Sequence, residues 1–325
     1  MTVDFVTLAE IEGARDRIQG HVRRTFLDHS PSLSEIAGHP VHLKLEHQQI
    51  TGSFKLRGAT NAVLSLDDAA RARGIAAVST GNHGRALAFA ARSIGARAMI
   101  CMSELVPQAK IDGIAAQGGE VRIIGKSQDE AQHEVDRLIM DQGMTTIPPF
   151  DNREVIAGQA TLGLELLEDI RDIATVLVQV SGGGLVSGVA AAIKAHRPET
   201  QIIGVTMERG AAMHTSLAKG KPVEVEELPT LADSLGGGIG LDNQLTFAMT
   251  QALVDDMVLL TEDEIALAIR HCYEKEGQIV EGAGAVGVAA ILAGKVQAHG
   301  PLAVILSGGN IDLAVHKRLI CGGSK

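Results

Sequence analysis

Aromatic side chains are nearly missing from this sequence: of its 325 residues six are Phe, one is Tyr and none is Trp. Protein and nucleic-acid interfaces lean on aromatics as anchors and stacking platforms, so a large stacking surface is excluded. Positive charge is also in short supply. Twenty-nine Lys and Arg face 39 Asp and Glu, a net charge of −10, and no dense basic run occurs. Nucleic acid and anionic membranes need a clustered basic face, so neither is an expected partner. Cysteine is scarce and scattered: Cys101, Cys272 and Cys321 make no CxxC pair, which supports neither a disulfide framework nor a zinc site. Cys101, inside AMICM, reads as a core filler. The N-terminal MTVDFVTLAEIEGARDRI has early acids and no long apolar stretch. That argues against a signal peptide or a membrane span, and a cytoplasmic protein is expected.

What is present is an ordinary globular composition, 45% hydrophobic and 21% charged, on a chain long enough for two α/β domains. Short β-branched runs fall at VHLKL (41–45), IAAVST (75–80), RAMICM (97–102), EVRII (120–124), TVLVQV (175–180), QIIGVT (201–206), MVLLT (257–261) and LAVILS (302–307). Segments of helical spacing, such as NHGRALAFAARSIG and SQDEAQHEVDRLIMDQG, lie between them. This alternation predicts an α/β fold of two domains, each an open, twisted, mostly parallel sheet with helices on both faces. The stretch 144–159, with its paired prolines, is the best candidate for a crossing between domains, and 223–240 is a weaker break.

Four segments stand where a strand gives way to a loop or helix, the place where doubly wound sheets collect ligands. SGGGLVSG lets backbone N–H groups approach an anion at a helix N-terminus, or makes a tight strand-to-helix turn. Its spacing fails the dinucleotide fingerprint, and no GK[ST] follows for a P-loop. In TGSFKLRGA, Lys55 near a helix start feels a positive dipole that favours the neutral amine of Schiff-base chemistry; alone, it reads as a surface lysine. STGNHG (79–84) offers hydroxyl, amide, imidazole and backbone donors to a small carboxylate, or a helix cap. LSGGN (306–310) places Ser307 at a strand end, where a simple turn needs the same residues.

Taken in order, TGSFKLRGA, STGNHG, VIAGQAT, SGGGL and LSGGN resemble the pyridoxal-phosphate-dependent threonine/serine dehydratase family, which includes serine racemase. The resemblance runs from HVRRTFL to LSGGNIDL, nearly the whole chain. It implies fold type II, with residues 1–67 and 152–325 as the large cofactor-binding domain and 68–151 as the small substrate-carboxylate domain. It implies pyridoxal 5'-phosphate carried on Lys55, Phe54 beside the ring, Asn82 on the ring hydroxyl, Gly182, Gly183, Gly184 and Leu185 on the phosphate, and Ser307 facing the pyridine nitrogen. A serine there does not hold that nitrogen protonated as an aspartate would, which suits fast loss of a β-leaving group. Ser79, Thr80, Asn82 and His83 are implied to hold the α-carboxylate of a small amino-acid substrate. The implied reaction is α,β-elimination from threonine, serine or a related β-hydroxy amino acid, with Lys55 moving the α-proton, in a homodimer.

The sequence also departs from the family. Thr80 stands where many plain dehydratases have alanine and serine racemase has a proton-delivering serine, so racemisation is one alternative to elimination, and a catalytically silent binding protein of the same fold is another. Phe150, in PPFDN, matches the dehydratase pattern and favours elimination. Arg85 replaces the usual glutamine and either reaches a substrate bearing a further acid or polar group or is simply solvated. Ser234, in LADSLGGGIG, replaces a glycine. In GVTMERGA and at the residue after it, Thr206 and Ala212 stand where relatives have carboxylates, with Glu208 displaced, so no metal is expected. The combination of STGNHGRA with ADSLGGGIG looks closest to the hydroxyectoine-utilisation dehydratases of this family. With LSGGNIDL so near the end, no regulatory domain like that of biosynthetic threonine deaminases is expected.

Overall fold

The computed structural model describes residues 4–322 apart from Thr80, with only the backbone of Gln128 and Asp129. Two sheets organise the chain. The six-stranded sheet has the order β1-β2-β10-β7-β8-β9, built from β1 (Leu27–His29), β2 (Val41–Lys44), β7 (Thr175–Gln179), β8 (Gln201–Met207), β9 (Asp256–Leu260) and β10 (Leu302–Ile305). The four-stranded sheet has the order β5-β4-β3-β6, from β3 (Ile75–Val78), β4 (Ala98–Met102), β5 (Glu120–Ile123) and β6 (Thr145–Thr146). Every pairing is parallel except that of β1 with β2. The expected α/β architecture of mostly parallel sheets is what the chain forms, and all eight strands expected from the apolar runs are present. The two that are not legible, β1 and β6, are edge pieces of three and two residues. They are too short to show any periodicity.

Both faces of the large sheet are covered, which is why its strands read as continuous apolar runs. Leu177, Ile203, Val205 and Val304 join one core with the Gly282–Leu292 helix. Their neighbours Val176, Val178, Ile202 and Ile305 face the opposite way, into a core shared with the Gly184–His196 helix. The small sheet is covered by Asn82–Ser93, whose Ala86, Leu87 and Ala90 pack with Ile75 and Ile100. The Lys55–Leu64 helix joins that same core through Leu56, Ala59 and Val63.

The other side of the Lys55 helix meets the Arg153–Asp169 helix, which starts where Asn152 Oδ1 accepts the N–H of Val155 at 3.0 Å. The two helices touch at glycines. A Cβ on Gly158 would lie 2.6 Å from Gly58 Cα, so neither helix tolerates a side chain at that crossing. Beside it a cluster of charge is buried. The guanidinium of Arg57 (1% exposed) donates to Glu46 from Nε at 2.9 Å and Nη2 at 2.8 Å, and to Glu165 from Nη1 at 2.6 Å and Nη2 at 3.0 Å. Lys44, fully buried, adds its charge to Glu165 at 2.6 Å. Against the burial that would raise it, the Arg57 charge holds Glu46 below the usual carboxylate range.

Removing one member of such a cluster leaves an uncompensated buried charge. Arg57→Met is expected to cost about 3–5 kcal/mol in urea unfolding. Arg97→Ala, which breaks the exposed pair with Glu120 at 2.8 Å, should cost no more than about 1 kcal/mol. Equal costs for the two would show that the buried cluster does not hold the fold.

Candidate active site

One cavity of about 310 Å³ opens between the two sheets, at the carboxyl ends of β3, β7 and β10. Its wall joins Lys55 with Ser79, Asn82 and His83 from one side and with Gly182, Gly183, Gly184 and Leu185 from the other. Phe54 and Ser307 complete that part of the lining. Segments distant in sequence are held together there by backbone bonds. Ser53 and Gly308 form an antiparallel bridge, and the N–H of Phe54 donates to the carbonyl of Ser307 at 3.0 Å. TGSFK and LSGGN are therefore a single structural unit.

Lys55 is the first residue of its helix, and its Nζ donates to the carbonyl of Pro149 at 2.7 Å. Desolvation at the wall pushes its amine down from 10.5 to about 8, and no carboxylate opposes the shift. His83 Nε2 lies 2.8 Å from the carbonyl of Ile147 and donates to it. Burial first, and then the charge of Lys55, lower His83 to about 3, so the imidazole is neutral at any ordinary pH. With its one N–H spent on Ile147, the ring has no donor left for a carboxylate. Ser79 Oγ accepts the N–H of Gly84 at 2.8 Å, so its hydroxyl oxygen caps the Asn82 helix while the residue lines the cavity.

The SGGG segment follows β7. Gly183, at φ 90°, is the N-cap of the Gly184 helix, a conformation that side-chain-bearing residues avoid. No side chain caps that helix start, so its first N–H groups remain for an anion at the cavity wall. A Cβ on Gly182 would lie 2.2 Å from the Phe150 ring, which sets the glycine loop against the Pro149–Phe150 segment.

Thr80 lies outside the described residues. Arg85 is not among the lining residues; its Nη1 donates to Asn310 Oδ1 at 2.9 Å. Sequence reasoning missed Glu281, a lining residue that is 5% exposed and accepts from Asn82 Nδ2 at 2.8 Å. Burial, and next the charge of Asp233, push its carboxyl up to about 7. The one signal in the sequence was a single acid directly ahead of the wholly apolar run GAGAVGVAAIL. Lys110 and Asp233, paired at 3.1 Å, also line the cavity and span it from the Gln108–Ala115 helix to the 223–240 loop. Among the described residues no group of three or more His, Cys, Asp or Glu could hold a metal ion, and no helix is long and apolar enough to cross a membrane.

Residues 18–308 match the family model described as pyridoxal-phosphate dependent enzyme. A Sinorhizobium fredii protein provisionally named a threonine dehydratase is 59% identical over 98% of this chain and 96% of its own length. The L-threonine ammonia-lyase of Thermotoga maritima is 42% identical over 98% of this chain and 79% of its own. Among solved structures, maize serine racemase superposes with a TM-score of 0.92 at 32% identity, covering 98% of both chains. The processed threonine deaminase isoform 2 of Solanum lycopersicum gives 0.88 at 34%, covering 99% of this chain and 92% of that one.

The donor set fits that cofactor: an uncapped helix start for a phosphate, a desolvated amine for a carbonyl carbon, and the hydroxyl of Ser307 at the wall. Added to the cofactor-free protein, pyridoxal phosphate should react with Lys55 at a rate that rises with pH around a midpoint of about 8. The neutral amine is the nucleophile, so a lowered pKa moves the midpoint down. Stopped-flow absorbance measures it, and borohydride reduction followed by peptide mapping locates the label. A midpoint near 10.5 would mean that the amine is solvated rather than buried.

Proposed function

We propose the following activity for this chain, which belongs to the threonine/serine dehydratase family of pyridoxal-phosphate-dependent enzymes: it eliminates water from L-threonine or a related β-hydroxy amino acid, giving a 2-oxo acid and ammonia. The observation that carries this reading is the position of the Lys55 amine, desolvated at the wall of a cavity that two helix N-termini share. The threonine ammonia-lyase and dehydratase names of relatives that match nearly the whole chain support it.

Pyridoxal phosphate, when bound, supplies an electron-withdrawing system that makes the α-proton acidic. The rest is work for the protein. Backbone N–H groups of Gly183, Gly184 and Leu185 would hold the phosphate, and Phe54 would pack by the ring. Asn82 would donate to the ring oxygen, and Ser307 would serve the ring nitrogen without charging it. The N-terminus of the Asn82 helix takes the α-carboxylate, through backbone N–H groups rather than the His83 ring. Lys55, its amine neutral near pH 8, takes the proton from the α-carbon. The Cβ–O bond breaks as the Cα–Cβ double bond forms, and the hydroxyl departs as water with the proton that Lys55 has taken. A second water then hydrolyses the released enamine, through its imine, to the 2-oxo acid and ammonia.

In this reading residues 68–151 form the smaller, carboxylate-binding domain and the remainder the cofactor domain. The protein works in the cytoplasm as a homodimer. Among finer substrates, serine, 3-hydroxyaspartate and a hydroxyectoine-derived amino acid fit the same chemistry. Racemisation is the second reading, favoured by the likeness to maize serine racemase.

A panel of β-hydroxy amino acids and hydroxyectoine derivatives, assayed for ammonia and oxo-acid release, tests the proposal. Threonine should be turned over, and Lys55→Ala should lower kcat at least about 10³-fold, as loss of a general base does. Chiral chromatography of recovered substrate separates the readings: inversion outpacing oxo-acid release makes the protein a racemase. Undiminished release by Lys55→Ala would remove the lysine from proton transfer.

A further inference from the structure

The proposed reaction leaves Arg85 and Glu281 without a task. They lie at opposite ends of one hydrogen-bonded chain. Arg85 Nη1 donates to Asn310 Oδ1 at 2.9 Å, and Asn310 Nδ2 donates to Asn82 Oδ1 at 2.6 Å. Asn82 Nδ2 donates to Glu281 Oε1 at 2.8 Å, and the ring of contacts closes where Asn310 N–H donates to Glu281 Oε2 at 3.1 Å. Asn310 Nδ2 is also anchored on the carbonyl of Thr51 at 2.9 Å, beside the Lys55 segment.

Each link is given its space by a glycine from a separate part of the chain. A Cβ on Gly113 would lie 2.2 Å from Arg85 Nη2. One on Gly52 would lie 2.5 Å from Asn310 Oδ1, and one on Gly308 would lie 2.6 Å from Glu281 Oε1 and 3.3 Å from Asn82 Nδ2. Three independent backbone positions thus keep clear the room that this one chain of side chains occupies.

The pattern of donors fixes the result. The oxygen of Asn82 is occupied by a donor and one of its two Nδ2–H groups by a carboxylate, so the amide cannot turn over without setting oxygen against oxygen. The second Nδ2–H is the only side-chain donor it has left for the cavity. We infer that Arg85, Asn310 and Glu281 are positioning residues that lock the Asn82 amide with its N–H toward the cavity, and that Arg85 acts through Asn310 rather than on the substrate. The locked amide would meet the cofactor's ring oxygen, a clause that rests on the activity proposed above. Glu281 is buried, and burial, then the charge of Asp233, push its carboxyl up to about 7.

The test uses the holoenzyme and two readouts, one independent of turnover. The pH midpoint of the bound cofactor's visible band reports the hydrogen bond at the ring oxygen. In Arg85→Met and in Glu281→Gln that midpoint should move. In Arg85→Met, kcat should fall about tenfold, the usual loss for a charge-assisted hydrogen bond, alike for L-threonine and threo-3-hydroxyaspartate. KM should stay within about twofold. Arg85→Gln keeps an N–H for Asn310 Oδ1 and should restore most of the rate and the band. A loss confined to KM for the acidic substrate would overturn the inference, because Arg85 would then touch substrate. An unmoved band in Arg85→Met, or equal losses in Arg85→Met and Arg85→Gln with lowered melting temperatures, would overturn it as well. If the wild type turns over no hydroxy amino acid, the activity proposal fails by itself and the band midpoint still decides the lock.

Discussion

The buried guanidinium of Arg57 is the contact on which the rest of the site depends. Two carboxylates from different elements, Glu46 after β2 and Glu165 on the Arg153 helix, each take two of its N–H groups. Only a planar fork can serve both, and a lysine in its place would satisfy one at most. Lys44 supplies the second positive charge, and besides Glu165 it also meets Asp169 at 3.5 Å, at the edge of the buried cluster. Such a cluster is not a cheap source of stability, since desolvation offsets much of the attraction. What it supplies is registration. Arg57 is two residues beyond Lys55 on the same helix, so fixing the guanidinium fixes the helix start, and with it the amine at Pro149.

That registration meets a second one at the backbone. The bridge of Ser53 with Gly308 and the bond from Gly309 N–H to the carbonyl of Gly52 tie the Lys55 segment to the end of β10. Glu281 N–H, on the carbonyl of Gly308, adds the Gly282 helix to the same junction. The glycine content of the motifs follows from these contacts. Main chains that approach this closely leave no volume for side chains, and the bonds they make replace water for groups that would otherwise be buried unpaired.

How much of this was legible in the sequence depended on whether the signal was local. Strands buried on both faces announce themselves as apolar runs, and all eight such runs became strands. The four glycine-rich or hydroxyl-rich segments could be placed at strand ends for the same reason, and three of their key residues, Lys55, Asn82 and Ser307, do meet in one cavity. Edge strands β1 and β6 carried no pattern because a neighbour defines them. Glu281 was hidden for a similar reason: an acid before a helix reads as a partner for the helix dipole, and only the fold turns it toward Asn82. For Arg85 the sequence left open a choice between substrate and solvent. Its partner is a residue 225 positions away, which no spacing rule reveals.

The electrostatics of the cavity suit the role proposed for Lys55, that of a group that loses a proton easily and takes one back. A fixed cation beside it would depress its pKa further and make it a poor base. His83 sits close enough for the Lys55 charge to act on it, and burial with a carbonyl partner keeps that ring neutral. Lys110, the other lysine on the wall, is paired with Asp233. In the proposed activity a substrate carboxylate would be met by the backbone of a helix start rather than by an arginine. Partial charges on N–H groups can bind an anion without adding a second group whose charge changes during proton transfer. In the activity proposed above, the neutral hydroxyl of Ser307 at the cavity wall would face the cofactor's ring nitrogen. A hydroxyl there would leave that nitrogen uncharged, so less negative charge would be stored on the ring and loss of the β-hydroxyl would be favoured.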